Sequence, residues 1–389
     1  MTIKKDTRIV TAGRDHQHNI VNPPVFHAST VLFPTLADLR HAASHPNEVF
    51  YYGRRATPTS IALCDALTEL ETDAAGCVLF PSGLAALAIA LMGFLESGEH
   101  LLMVDTVYQP TRGICDRLLA RQGIETTYYD PMIGDAIAKL IRPNTRVVFV
   151  EAPGSLTFEV QDIPAIAARA HDAGALVMMD NTWASPFFFQ PFERGVDVCI
   201  QAATKYIVGH SDVMLGVATA NAAHWPRLRD MAHLHGQCAG PDDIYLALRG
   251  LRTLAVRLRQ HELNALKLAR WFKARPEVAR VLHPGLPECP GHETWQRDFL
   301  GSSGLFSVVL KGGSEDALAA LLNGLKLFSM GYSWGGYESL ALPVDPARSR
   351  RATSWDAPGP TVRFHIGLED PEDLIADLEA GLARYRAAL

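Results

Sequence analysis

The middle of this chain alternates short apolar runs with stretches of helical period, and few architectures accept that pattern. The apolar runs are Cys77–Phe80, Leu101–Val104, Val147–Val150, Leu176–Met179 and Val198–Gln201. Between them, Leu84, Leu87, Ala88, Leu91 and Leu95 are spaced to share one helix face. Ile163–Ala173 reads as a second helix, closed by Gly174. Apolar strands separated by helices fit a mainly parallel sheet covered on both sides, so the expected class is α/β. Ligands of such sheets bind beyond the carboxyl ends of the strands. Asp180 and Lys205 each fall just after a strand candidate, where a site would lie.

The chain has 389 residues, too many for one small core. Residues 1–60 carry Asn22-Pro23-Pro24, Phe33-Pro34 and His45-Pro46 with little periodicity. They read as an extended arm that packs on another subunit. Residues 61–245 hold the strand–helix alternation. From about Tyr245 one long helix is expected, with Leu251, Leu254 and Leu258 as its apolar stripe. Arg249, Arg252, Arg257 and Arg259 lie beside that stripe and read as a solvated outer face, in preference to a membrane surface. Strand candidates Leu305–Leu310 and Val362–Ile366 and a helix from Pro371 make residues 246–389 an α+β domain.

Several functions are disfavoured. A net charge of −6 gives no reason to expect nucleic acid or an anionic membrane as partner. The longest apolar stretch, Leu84–Leu95, is about one short helix, and the first residues lack an apolar signal core. The six cysteines form no C-x-x-C pair, which suits reduced thiols and a cytoplasmic location. His16, His18 and His45 have no supporting cluster, so no metal is expected. Neither a nucleophile elbow for hydrolysis nor a dinucleotide fingerprint is expected.

The pair Lys205 and Asp180 supplies two groups that a pyridoxal phosphate site needs. A lysine amine condenses with the cofactor aldehyde, and an acidic residue keeps the pyridinium nitrogen protonated. Ser82-Gly83-Leu84 opens an amphipathic helix, and a helix start can hold a phosphate; taken alone, the segment reads first as a plain serine-capped helix. Thr204 can add a hydroxyl. Tyr108 can stack on an aromatic ring or be an ordinary loop tyrosine. Tyr52 and Arg54 place a phenol and a guanidinium on one turn, suited to a phosphate or to a surface charge pair. Arg363, inside an alternating strand, asks for a partner: a substrate α-carboxylate or a structural carboxylate. His365 reads as a packed or capped side chain.

Taken in order, Tyr52-Gly53-Arg54, Ser82-Gly83-Leu84, Tyr108, Asp180, Thr204-Lys205-Tyr206 and Arg363 resemble the Cys/Met-metabolism (transsulfuration) family of pyridoxal phosphate enzymes. Leu327–Leu340, Ile200–Asp212, Gly301–Ser307 and Phe364–Asp370 are similar to the branch that cleaves cystathionine on its β side. The resemblance implies an aspartate-aminotransferase-like fold (fold type I) and pyridoxal 5′-phosphate held by Lys205, Asp180, Ser82, Gly83, Leu84, Tyr108 and Thr204. It implies that Tyr52 and Arg54 reach the phosphate of a neighbouring subunit in a homotetramer built as a dimer of dimers. Lys205, Tyr108 and Asp180 become the expected catalytic groups. Arg363, Ser333, Trp334 and Tyr108 become the substrate contacts. The implied reaction is β-elimination of L-cystathionine to homocysteine, pyruvate and ammonia, within methionine biosynthesis. One departure is Ala202, where many family members have a phosphate-binding serine. Rival readings are a γ-cleaving or γ-forming relative, a lyase for cystine or other cysteine S-conjugates, and a regulator that kept the fold without catalysis.

Overall fold

The computed structural model describes residues 3–14, 19–47 and 49–389. Its large sheet has seven strands: β1 (Gly76–Phe80), β2 (His100–Val104), β3 (Glu125–Tyr129), β4 (Thr145–Glu151), β5 (Leu176–Asp180), β6 (Val198–Ala202) and β7 (Gly216–Ala220). The spatial order is β1-β7-β6-β5-β4-β2-β3. β2 to β6 run parallel, and only β7 opposes its neighbours. The five apolar runs are thus all strands of one sheet. Two members escaped the sequence pattern. β3 reads Glu-Thr-Thr-Tyr-Tyr and lies at the sheet edge, where water tolerates polar residues. β7 is built of small residues and has no large apolar side chain beyond Val217.

Helix Gly83–Phe94 packs on this sheet. Leu87 and Leu91 are buried, each worth about 1.5–3 kcal/mol of transfer free energy. Helix Ile163–Asp172 buries Ile163, Ile166, Ala167 and Ala170 on one face, and Gly174 follows it with φ +74°. Four antiparallel strands form a second sheet in the order β10-β11-β9-β8: β8 (Val278–Leu282), β9 (Leu305–Leu310), β10 (Leu340–Val344) and β11 (Thr361–His365).

Two expectations need correction. The long helix expected from Tyr245 is two helices, Pro241–Leu251 and Leu254–Lys273, broken at Arg252-Thr253. Leu251, Leu254 and Leu258 are all buried as expected, but Arg257 is not on a solvated face. Its guanidinium donates to the carbonyls of Tyr206, Ile207 and Gly250, so it ties the second helix to the turn that carries Lys205. That helix also carries the chain from one core to the other. Leu258 belongs to the large core, and Ala265 to the core under the small sheet.

The first sixty residues are not wholly extended. They include helices Lys5–Thr11 and Leu36–Ser44, and Ile9 of the former is buried in the large core. His16 and His18 lie outside the described residues, and His45 caps the carboxyl end of Leu36–Ser44. Among the described residues no helix is long and apolar enough to cross a membrane.

Candidate active site at the strand ends

β5 and β6 are parallel neighbours, so Asp180 and Ala202 end on the same side of the sheet. Thr182 staples the two ends. Its N–H and hydroxyl donate to Asp180 Oδ1 at 3.0 and 2.5 Å, and its oxygen accepts from the Ala202 N–H at 2.9 Å. Asp180 Oδ2 has no hydrogen-bond partner among the described residues. Burial pushes the carboxyl up, while the Thr182 bonds and the Lys205 charge pull it back.

Lys205 follows in the turn after β6. Its Nζ donates to the Ser333 hydroxyl at 2.5 Å and lies 5.3 Å from the Trp334 ring centre. Burial, then the Arg363 charge, lower the amine to about 8, against the opposing pull of Asp180. A neutral amine, the form a nucleophile or base requires, is therefore accessible near physiological pH. Ser333 sits at φ +83°, a costly region for a residue with a Cβ and one that recurs in functional loops.

Arg363 Nη2 donates to the Ser333 carbonyl at 3.0 Å and makes no ion pair among the described residues. Burial lowers it to about 10. The structural carboxylate allowed by the sequence is thus not found, and the guanidinium retains donors for an external anion. His365 is packed and hydrogen-bonded at both ring nitrogens, as its strand position suggested.

Sheet register places the helix start beside Lys205. Phe80 pairs with Gly216, and Gly216 pairs with Ala202, so three strand ends form one row. Ser82 caps helix Gly83–Phe94 by accepting from the Ala85 N–H at 3.1 Å. A Cβ on Gly83 would lie 2.6 Å from the Ala202 Cβ, and one on Gly216 would lie 2.1 Å from the Ser82 carbonyl oxygen. Glycine at both positions lets the backbones close up. The N–H groups of Gly83 and Leu84 have no partner among the described residues, while the Leu84 side chain is exposed. Thr204 differs from its simplest reading: its hydroxyl is already paired with the N–H and carbonyl of Leu215.

Tyr108 is half-exposed, and its backbone N–H donates to Glu151 Oε2 at 2.9 Å. Burial, then the Asp180 charge, push its phenol up, so it stays protonated. Glu151 and Thr182 were not singled out from the sequence. Glu151 follows the Val147–Val150 run directly, the same signal that marked Asp180.

Tyr52 and Arg54 are not brought to Lys205 within one chain. They line a separate cavity of about 590 Å³ with Arg55 and Arg229, and Arg54 donates to the His233 carbonyl at 3.1 Å. The letters G-x-S-x-G do occur, at Gly331–Gly335, contrary to expectation. They follow no strand and open no helix, and Ser333 faces Lys205 with no histidine bonded to it among the described residues, so this is no hydrolase elbow.

The family model described as "Cys/Met metabolism PLP-dependent enzyme" matches residues 6–383. The chain belongs to that family. A putative cystathionine beta-lyase of Rhizobium johnstonii is 51% identical over 388 residues, covering 98% of this chain and 96% of the relative. Cystathionine beta-lyase MetC of Escherichia coli (strain K12) is 49% identical over 390 residues, with 98% of each covered. Among solved structures, a cystathionine gamma synthase of Xanthomonas oryzae pv. oryzae, in complex with aminoacrylate and cysteine, superposes with a TM-score of 0.91 at 32% identity over 100% of both chains.

The fold is therefore that of the fold type I pyridoxal phosphate enzymes, and the cofactor is pyridoxal 5′-phosphate. The residues present fit that group. A desolvated amine stands near a carboxylate with an unpartnered oxygen, and the adjoining helix start offers two free N–H groups beside glycines that leave room for close approach.

Proposed function

We propose that this protein is a carbon–sulfur lyase that cleaves L-cystathionine on its β side, giving homocysteine, pyruvate and ammonia for methionine biosynthesis. The observation that carries this reading is the level of identity. Relatives named cystathionine beta-lyase share 49–51% of their residues over nearly the whole chain, against 32% for the γ-synthase structure. The ring of Trp334 beside the Lys205 amine supports it. The same chemistry at Cβ extends to cystine and other cysteine S-conjugates.

Bound pyridoxal phosphate supplies the electron sink that makes the substrate Cα–H acidic. Gly83, Leu84 and Ser82 would hold its phosphate at the helix start, Thr204 would join them by giving up its bond to the Leu215 carbonyl, and Asp180 would keep the ring nitrogen protonated. Lys205 in its neutral form removes the Cα proton, with Ser333 fixing Nζ in place. Arg363 grips the α-carboxylate and so sets which Cα bond breaks. Tyr108 would stack on the cofactor ring. Its phenol, kept protonated, shares with Lys205 the task of protonating the leaving thiolate. Trp334 walls the substrate side.

Tyr52 and Arg54 serve the neighbouring subunit's phosphate, which agrees with their distance from Lys205 in their own chain. The working form is then a homotetramer, a dimer of dimers with shared sites. Six unpaired cysteines, four of them buried, agree with a cytoplasmic location.

A product assay on L-cystathionine tests the reaction by identifying both the keto acid and the thiol. Pyruvate with homocysteine is expected. 2-Oxobutyrate with cysteine would reassign the protein to γ-cleavage while leaving family and cofactor intact.

A further inference from the structure

One buried imidazole joins both ends of the loop that meets Lys205. His365 closes β11, two residues beyond Arg363. Its Nε2 lies 3.0 Å from the Gly335 N–H, and its Nδ1 lies 3.0 Å from the Glu338 carbonyl oxygen. The Gly335 amide can only donate and the Glu338 carbonyl can only accept, so the ring carries its proton on Nδ1 and is neutral. The ring is 1% exposed, and burial, then the His261 charge, hold it well below the ordinary histidine range.

The loop spanned by these two bonds has little other freedom. Gly335 has φ +89°, and a Cβ there would stand 2.9 Å from the Lys205 carbonyl carbon, so the loop runs directly over the lysine backbone. Just before Gly335 come Trp334, beside the Lys205 amine, and Ser333, bonded to that amine and to Arg363. Ser333 is held at its costly positive φ although its own side chain is exposed. Something buried must over-determine the loop, and the Gly335 bond to His365 lies two residues away.

We infer that His365 is a positioning residue: as a neutral acceptor for the Gly335 N–H and donor to the Glu338 carbonyl, it fixes the Ser333–Trp334 wall against Lys205 and Arg363, and thereby the fit of the sulfur substrate. The effect on substrate rests on the lyase reading given above; the effect on the loop does not. Removing the acceptor leaves a buried N–H unpaired and frees the loop, which weakens substrate fit more than the chemical step.

The test compares wild-type holoenzyme with His365→Asn and His365→Gln. Asparagine can keep the bond to Glu338 but cannot reach Gly335, whereas the longer glutamine presents an oxygen near the Nε2 position. For His365→Asn, the expected result is undiminished visible cofactor absorbance, a KM for L-cystathionine raised on the order of tenfold with a smaller fall in kcat, and faster hydrogen exchange confined to peptides covering residues 332–338. His365→Gln should recover most of both effects. The inference is overturned if His365→Asn stays within about twofold of wild type with unchanged exchange, or if glutamine is as impaired as asparagine. Exchange loosened across the whole small sheet would also overturn it, since that marks a general packing role. If wild type yields 2-oxobutyrate, the β-cleavage reading fails alone, and the exchange comparison still decides the role of His365.

Discussion

Glu151 and Asp180 stand side by side at the ends of β4 and β5, paired in register with both carboxyls withdrawn from water. Burial first, then the Asp180 charge, hold Glu151 well above the ordinary glutamate range. Two adjacent carboxylates do not both ionise in such a place, so Glu151 keeps its proton and Asp180 carries the charge. Glu151→Gln is then nearly isoelectronic and still accepts from the Tyr108 N–H. It should change kcat/KM by less than about threefold, whereas Asp180→Asn should keep the fold and lose about a hundredfold or more. Steady-state kinetics on both variants, with circular dichroism to confirm folding, check the pair. Equal losses would show that Glu151 is also charged.

The Lys205 amine, lowered to about 8, sets the pH at which the apoenzyme takes up cofactor. Only the neutral amine attacks the aldehyde. The rate of return of visible absorbance should rise about tenfold per pH unit below pH 8 and level off above it. Stopped-flow mixing of apoenzyme with pyridoxal phosphate across pH 6–9 measures it, and a flat profile would contradict the lowered amine. Lys205→Ala should show neither this absorbance nor turnover.

Arg54 and Lys205 lie in separate places within one chain, which makes subunit sharing testable by mixing. Chains carrying only Lys205→Ala or only Arg54→Ala should each be nearly inactive. Random exchange between them yields half hybrid dimers, each with one intact site, so activity should return to about a quarter of wild type. No recovery after exchange has been confirmed by mass spectrometry would place Arg54 in its own subunit's site, or in none.

Glu71 is buried beneath β1, β7 and β6, accepting from Thr219, Gln201 and Cys199, and burial pushes it up to about 7. The folded chain therefore holds a proton that the unfolded chain releases near 4.5. Between those two values the folded state binds more protons, so the contribution of Glu71 to stability falls as pH rises and is lowest above about 7. Glu71→Gln keeps an oxygen for Gln201 and Cys199 and turns an amide donor toward the Thr219 hydroxyl, without the charge. It should be more stable than wild type at pH 8 by about 1–3 kcal/mol, with the gap closing by pH 5. Denaturant melts of both proteins at the two pH values measure the difference.

Much of this molecule is written in local sequence. Five apolar runs mark five strands because each is buried on both faces and must be apolar throughout. Ser82-Gly83 marks a helix start because capping is chemistry within one turn. Asp180 and Lys205 stand out because each follows such a run. What only the tertiary structure decided depends on neighbours distant in the chain. β7 and β3 lack a continuous apolar run and stand out as strands only through the partners they pair with. Arg257, one of four similar arginines, is buried because Tyr206, Ile207 and Gly250 present carbonyls to it. Glu151 becomes a partner of Asp180 through sheet register, and His365 holds the Ser333–Trp334 loop through bonds spanning about thirty residues. Periodicity and capping are set by the nearest few residues. Register, burial of charge and the choice of hydrogen-bond partner are set by contacts that form only when the chain has folded.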